Sequence, residues 1–226
     1  MRRGEATPNR LGRIALVVLA VFCYPRGVQG QAGAAELMDT TAPTRTDEAT
    51  FAGGCFWCME PPFEKLPGVL SVAAGYAGGT EPNPTYEAVA SGKTGYAESV
   101  RIVYDPAKVT YQQLLDAFWM NIDPTQAAGQ FADRGRQYRT AIFYQTEEQK
   151  RLALESKERL ARSGKFDKPI VTEIVPATAF YPAEDYHQDY YKKNPIQYKL
   201  YRIGSGREGY LKRTWGDAAG DPSPSH

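Results

Sequence analysis

Apolar and polar positions change period several times along the chain, and each change marks an element. Runs rich in Val, Ile and Tyr at Gly68–Tyr76, Glu98–Tyr104, Thr140–Tyr144 and Ile170–Val175 predict β-strands. Helices are better punctuated. Thr110-Tyr111-Gln112-Gln113 has the spacing of a capping box and opens a helix over Tyr111–Asn121; Thr146-Glu147-Glu148-Gln149 opens a long charged helix that stops at Gly164. A third helix is predicted over Ala183–Lys193, ending at Asn194-Pro195 because proline cannot continue it. A short apolar run, Ala49–Ala52, ends at Gly53-Gly54 and is followed by a helix-like stretch from Cys55. Pro61 and Pro62 predict a turn there and a helix restarting at Pro61. Strands interleaved with helices, and a hairpin-length gap over Gly75–Tyr86, predict an α+β fold: a two-layer or roll-like sandwich with a central mixed sheet flanked by helices.

The two ends read differently. Residues 1–30 carry Arg2, Arg3, Arg10 and Arg13, then the apolar run Ile14–Tyr24, then small residues, which together mark a secretory signal peptide. That run is shorter than the ~20 residues a membrane-spanning helix needs, so export to the periplasm is expected, with an uncleaved anchor as the alternative. Residues 31–48 form a polar linker, 49–216 one catalytic domain, and 217–226 a tail whose composition predicts disorder. Removing 1–30 takes away five Arg and one Glu and moves the net charge from +1 to −3. With no basic balance, nucleic acid is not an expected partner. Nothing in the sequence asks for an obligate dimer, and a monomer is expected.

Cysteine arithmetic brings in the chemistry. Of Cys23, Cys55 and Cys58, the first falls in the leader, so the mature chain keeps a single C-x-x-C pair in Gly53-Gly54-Cys55-Phe56-Trp57-Cys58. Two cysteines cannot form a four-cysteine zinc site, and neither His187 nor His226 has a pairing spacing, so no metal is expected. A thiol reacts as its thiolate, and a helix N-terminus favours that charge. Three chemistries remain open from the residues alone. A cysteine hydrolase or transferase would need His187 as base. A disulfide oxidoreductase would use both thiols directly. A thiol attacking an oxidised sulfur would become a sulfenic acid, which its neighbour would close to a disulfide. Phe56 and Trp57 make an apolar wall beside the nucleophile that suits a methyl group. No Gly-rich stretch has the strand and helix context of a nucleotide site, so no organic cofactor is expected.

Seven blocks carry a resemblance. Gly53–Trp57, Ala74–Gly79, Asn83–Tyr86, Thr94–Glu98, Tyr104–Pro106, Asp133–Arg139 and Ala183–Gln188 run in order over residues ~50–200, and together they resemble the signature blocks of the A-type peptide-methionine sulfoxide reductases. The resemblance implies reduction of the S epimer of methionine sulfoxide as a repair reaction. It implies that Cys55 attacks the sulfoxide sulfur, Glu98 donates a proton to its oxygen, and Tyr86 and Tyr138 hydrogen-bond that oxygen. Phe56 and Trp57 would hold the S-methyl group, and Asp133 the substrate main chain. The chain departs from the family pattern at Tyr96, where many members have His, and at Cys58, where many have Gly and keep resolving cysteines in a C-terminal tail. This tail has no cysteine, so Cys58 is expected to resolve the sulfenic acid. An external dithiol, a thioredoxin-like protein, would then reduce the Cys55–Cys58 bond.

Overall fold

The computed structural model describes residues 45–216. The leader at 1–30, most of the linker and the tail at 217–226 lie outside the described residues. The body is a six-stranded mixed sheet of β1 (Asp47–Gly53), β2 (Val69–Ala77), β3 (Ala97–Tyr104), β6 (Thr140–Tyr144), β7 (Glu173–Pro176) and β8 (Tyr181–Pro182). Across the sheet the strands lie in the order β7-β6-β1-β3-β2-β8. Only β6 and β7 pair in parallel; the other pairings are antiparallel. A separate two-stranded hairpin is made by β4 (Gly129–Gln130) and β5 (Asp133–Arg134). Helices flank the sheet: α1 (Phe56–Glu64), α2 (Tyr86–Ala90), α3 (Tyr111–Trp119), α4 (Glu147–Arg162), and α5 (Tyr190–Lys193), α6 (Pro195–Gly204) and α7 (Arg207–Trp215) at the C-terminal end.

β1 lies between β3 and β6, and the polar segment before residue 49 gives its last two residues to it: Asp47 and Glu48 stand opposite Tyr104 and Val103. Phe51 at its centre stacks on Phe63 of α1 (5.4 Å, 12°) and Phe118 of α3 (5.1 Å, 21°). Leu114, Leu115 and Ile122 complete this fully buried core. Burying such side chains contributes about 1.5–3 kcal/mol each, so α1 and α3 are held to the sheet whatever their local preferences.

That packing explains why α1 does not break at its prolines. The helix runs unbroken from Phe56 to Glu64 with Pro61 and Pro62 inside it, against the expected turn and restart. The two missing N–H groups leave the Trp57 and Cys58 carbonyls without their helical donors, but Phe56, Met59 and Phe63 on the same helix are 0–1% exposed. Core burial outweighs the loss. The capping box of α3 forms as expected, with Thr110 and Gln113 bonding each other's backbone.

The predicted helix over Ala183–Lys193 is a second correction: only Tyr190–Lys193 is helical. The side chains that would have formed its polar face are taken up by the sheet edge. The Ala183 N–H donates to the Ala74 carbonyl (2.9 Å), and the Gln188 amide bonds both the N–H and the carbonyl of Ala74. The Glu184 carboxylate accepts from the Tyr76 hydroxyl and the Tyr86 N–H. Asp189 then turns the chain in the left-handed conformation (φ 53°).

Candidate active site at the end of the central strand

Everything converges where β1 stops. Gly54 takes a left-handed conformation (φ +83°), and a Cβ there would stand 2.6 Å from the Gln130 side chain and 2.7 Å from Arg207. Only glycine fits this turn. The turn delivers Cys55 to the N-cap of α1, with no side-chain cap, and the Cys58 N–H closes the first turn onto the Cys55 carbonyl (3.0 Å). The sequence placed Cys55 at this strand–helix junction, and the structure agrees.

Cys55 is 6% exposed and Cys58 wholly buried; both are free thiols. The two thiols act on each other, each shifting the other's titration. Burial, then the bond to Cys58 and the nearby Glu98, hold the Cys55 thiol well above its ordinary value. The bond from Cys55 draws Cys58 down to about 7, aided by the cationic Arg207 and Arg202. The pair therefore gives up its first proton near neutrality, as a unit.

Glu98 enters from β3, 2% exposed, and its Oε2 accepts the Phe56 N–H (3.1 Å) at the start of α1. Burial pushes its carboxyl up to about 8 in spite of that bond, with Asp133 and Cys58 adding to the rise. A buried carboxyl that keeps its proton at neutral pH, next to a thiol, is an acid in reserve. Tyr86, at the first turn of α2, and Tyr138, at the end of a 3₁₀ turn over Arg136–Tyr138, are both partly buried. Burial raises both phenols, and each also feels Glu98, Cys55 and Asp133. Both hydroxyls thus stay protonated and available as donors, each near Glu98 and Cys55. Replacing Tyr138 by Phe is expected to slow the single-turnover rate by about 10²-fold or more, with Tyr86→Phe smaller while Tyr138 remains.

An aromatic enclosure closes the site. The Trp57 indole stacks on Tyr190 (3.7 Å, 8°) and meets the edge of Tyr201 (5.8 Å, 83°); Phe56 lies 5.0 Å from the His187 ring, which lies 4.4 Å from Tyr86. His187 was the alternative base for Cys55. Its Nδ1 accepts the Trp57 Nε1–H (3.1 Å), and burial lowers its pKa. With its acceptor nitrogen occupied it is not a base for Cys55; it fixes the indole. Asp133 lies on β5, and its Oδ2 accepts the Tyr201 hydroxyl (2.5 Å). Tyr201 also lies beside the Cys55 thiol, and each affects the other's titration. Tyr201, Tyr190 and Arg207 are site residues the sequence reading missed. One signal was available: a proline that ends one helix opens the next at its first position, so Asn194-Pro195 also announced α6, with Tyr198 and Tyr201 three apart on one of its faces.

A cleft of about 470 Å³ behind α1, lined by Pro61, Pro62, Tyr191, Tyr198 and Arg202 among others, does not open on Cys55. Among the described residues no group of three or more His, Cys, Asp or Glu is placed to hold a metal ion, and no helix is long and apolar enough to cross a membrane.

Comparison with known proteins gives the family. The family model of peptide methionine sulfoxide reductases matches residues 47–219. The chain belongs to the peptide methionine sulfoxide reductase family. A Bacillus licheniformis reductase of this family is 58% identical over 168 residues, covering 74% of this chain and 93% of its own length. One from Bacillus subtilis is 57% identical over 168 residues, covering 74% and 95%. Among solved structures, methionine sulfoxide reductase A of Corynebacterium diphtheriae matches with TM-score 0.60 and 36% identity over 69% of this chain and 78% of that one. Reduced Mxr1 from Saccharomyces cerevisiae matches with TM-score 0.64 and 34% identity, covering 68% and 88%. As a member of this family the enzyme is an oxidoreductase acting on peptide methionine sulfoxide.

Proposed function

We propose that this enzyme reduces the S epimer of methionine sulfoxide, free or in proteins, through a Cys55 sulfenic acid that Cys58 resolves. One observation carries the reading: a free thiol at a helix N-cap has a buried, protonated carboxyl on one side and a second thiol one helical turn away. Cys55 forms a bond to the sulfoxide sulfur while Glu98 passes its proton to the oxygen and Tyr86 and Tyr138 hydrogen-bond it. The oxygen moves to Cys55, and methionine leaves as a neutral thioether. The Cys58 thiolate then attacks the Cys55 sulfur, and the oxygen departs as water with a second proton taken up through Glu98. Phe56 and Trp57 hold the methyl group, and the oxygen of Asp133 not engaged by Tyr201 receives a substrate N–H.

The resulting Cys55–Cys58 disulfide calls for a dithiol of the thioredoxin type as reductant, reacting by exchange. The leader at 1–30 supports export, so the reductant and the oxidised proteins repaired would be periplasmic. Cell fractionation tests this part: the chain shortened by its leader belongs in the periplasmic fraction, and full-length chain in the cytosol would end it.

A single turnover without external reductant tests the chemistry. Reduced enzyme carrying Cys23→Ser is mixed with separate S and R epimers of a blocked methionine sulfoxide. One methionine formed and two thiols lost per chain, with the S epimer alone, is the expected result. One methionine with a single thiol lost would remove Cys58 from the cycle, and no methionine from either epimer would overturn the reductase reading.

A further inference from the structure

Arg207 opens α7 and is 1% exposed, one of the most deeply buried large side chains of the described residues. Among those residues no carboxylate lies within ion-pair distance of it. Its guanidinium is spent on the active-site turn instead. Nη2 donates to the Gly53 carbonyl (2.9 Å) and Nη1 to the Asn121 carbonyl (2.7 Å), and Nη1 lies 3.7 Å from the Met59 sulfur. Its other face covers the Phe131 ring at 4.7 Å. Burying a cation without a counter-ion costs several kcal/mol, and carbonyl dipoles and a ring face offset that cost only in part. The gain is a positive charge held directly beneath Gly54, one residue before Cys55, and beside Met59, one residue after Cys58.

Among the described residues the other charged and titratable groups around the two thiols are Glu98 from β3, Asp133 from β5, Tyr86, Tyr138, and Tyr198, Tyr201 and Arg202 from α6. Glu98 and Asp133, when ionised, repel a thiolate. Arg202 attracts one, but it stands 4.0 Å from the Glu208 carboxylate and shares its charge there. Arg207 is the unshared cation.

We infer that Arg207 is a positioning residue for the reaction: it clamps the Gly53–Gly54 turn to the end of α3 and holds the negative charge of the Cys55–Cys58 pair. This rests on the reading of Cys58 as resolver. In that step the thiolate of Cys58 forms the S–S bond as the Cys55 S–O bond breaks, so the supply of thiolate sets the rate at neutral pH. Glycine at 54 belongs to the same device, since any side chain there would push the guanidinium away.

The test titrates Cys58 directly and needs no turnover, so it stands apart from failure of the reductase reading. In a chain carrying Cys23→Ser and Cys55→Ser, Cys58 is the only thiol, and its thiolate absorbance in the far ultraviolet is followed against pH. Adding Arg207→Met is expected to raise the midpoint by about one unit or more, a tenfold loss of thiolate on the acid side. Arg207→Lys, which keeps the charge, is expected to stay close to the parent. Where the methionine variant does not fold, Arg207→Gln, which keeps an amide donor for the carbonyls, gives the same reading. An unchanged midpoint in both neutral variants would overturn the electrostatic role and leave a clamp alone, as would a lysine variant that shifts as far as the neutral ones.

Discussion

Glu98→Gln is expected to slow methionine formation in a single turnover by about 10²–10⁴-fold at pH 7, the range for losing a positioned general acid. The sulfoxide oxygen must leave sulfur carrying a proton, and an amide in place of the carboxyl has none to give. The pH profile should change shape as well as height. In the native enzyme the rate rises as the cysteine pair loses its first proton near 7 and falls as Glu98 ionises near 8, a narrow bell whose limbs belong to the two systems. The variant keeps the rising limb and loses the falling one. Stability should move the other way. Glu98 titrates at about 8 when folded against an ordinary 4.5, so folding takes up a proton between those values, and native stability falls as pH rises from 4.5 to 8. At about 1.36 kcal/mol per unit, the amide variant should be more stable by about 3 kcal/mol at pH 7 and equal to the native chain near pH 4. Denaturant unfolding at both pH values measures this. A variant that is slower and also less stable at pH 7 would mean that Glu98 holds the fold rather than a proton.

Cys58→Ser should leave the first half of the reaction and remove the second. About one methionine per chain should form, with one thiol lost and a sulfenic acid on Cys55 that a dimedone-type probe traps. Steady-state reduction with a protein dithiol should fall nearly to nothing, because no disulfide forms for exchange. Small thiols, which attack a sulfenic acid directly, should restore part of the rate. The serine keeps a hydroxyl beside Cys55, so a shortfall in the first methionine is not explained by an empty space. Full steady-state turnover in this variant would remove Cys58 from the cycle.

What could be read from the sequence, and what could not, divides by the range of the interactions. Local signals were sufficient for the capping box of α3, for the β6 strand and for Cys55 at a strand end, since each depends on residues within a few positions. The unbroken α1 was missed because Pro61 and Pro62 argue locally for a break, and what decides otherwise is packing in the core against Phe51 of the preceding strand, which itself stacks on Phe118, far along the chain. The segment around His187 looks helical by pattern, yet Glu184 and Gln188 are claimed by backbone groups of Ala74 and Tyr86, about a hundred residues earlier. Glu98 and Asp133 could be named only through family resemblance: nothing near Glu98 in sequence says that it is buried. Tyr201 and Arg207 belong to helices that the last proline announces but does not aim.

The exposures of the two sulfurs carry one more consequence. After resolution, the sulfur that faces outward is that of Cys55; Cys58 lies behind it, 0% exposed. An incoming thiolate must approach a disulfide in line with its S–S axis, so the electron donor comes to Cys55 through the same aromatic mouth that admits the methyl sulfoxide. Oxidant and reductant therefore cannot occupy the enzyme together. Its steady state is expected to be a double displacement, read as parallel reciprocal plots, in which a surplus of methionine product or of sulfoxide competes with the donor for one opening.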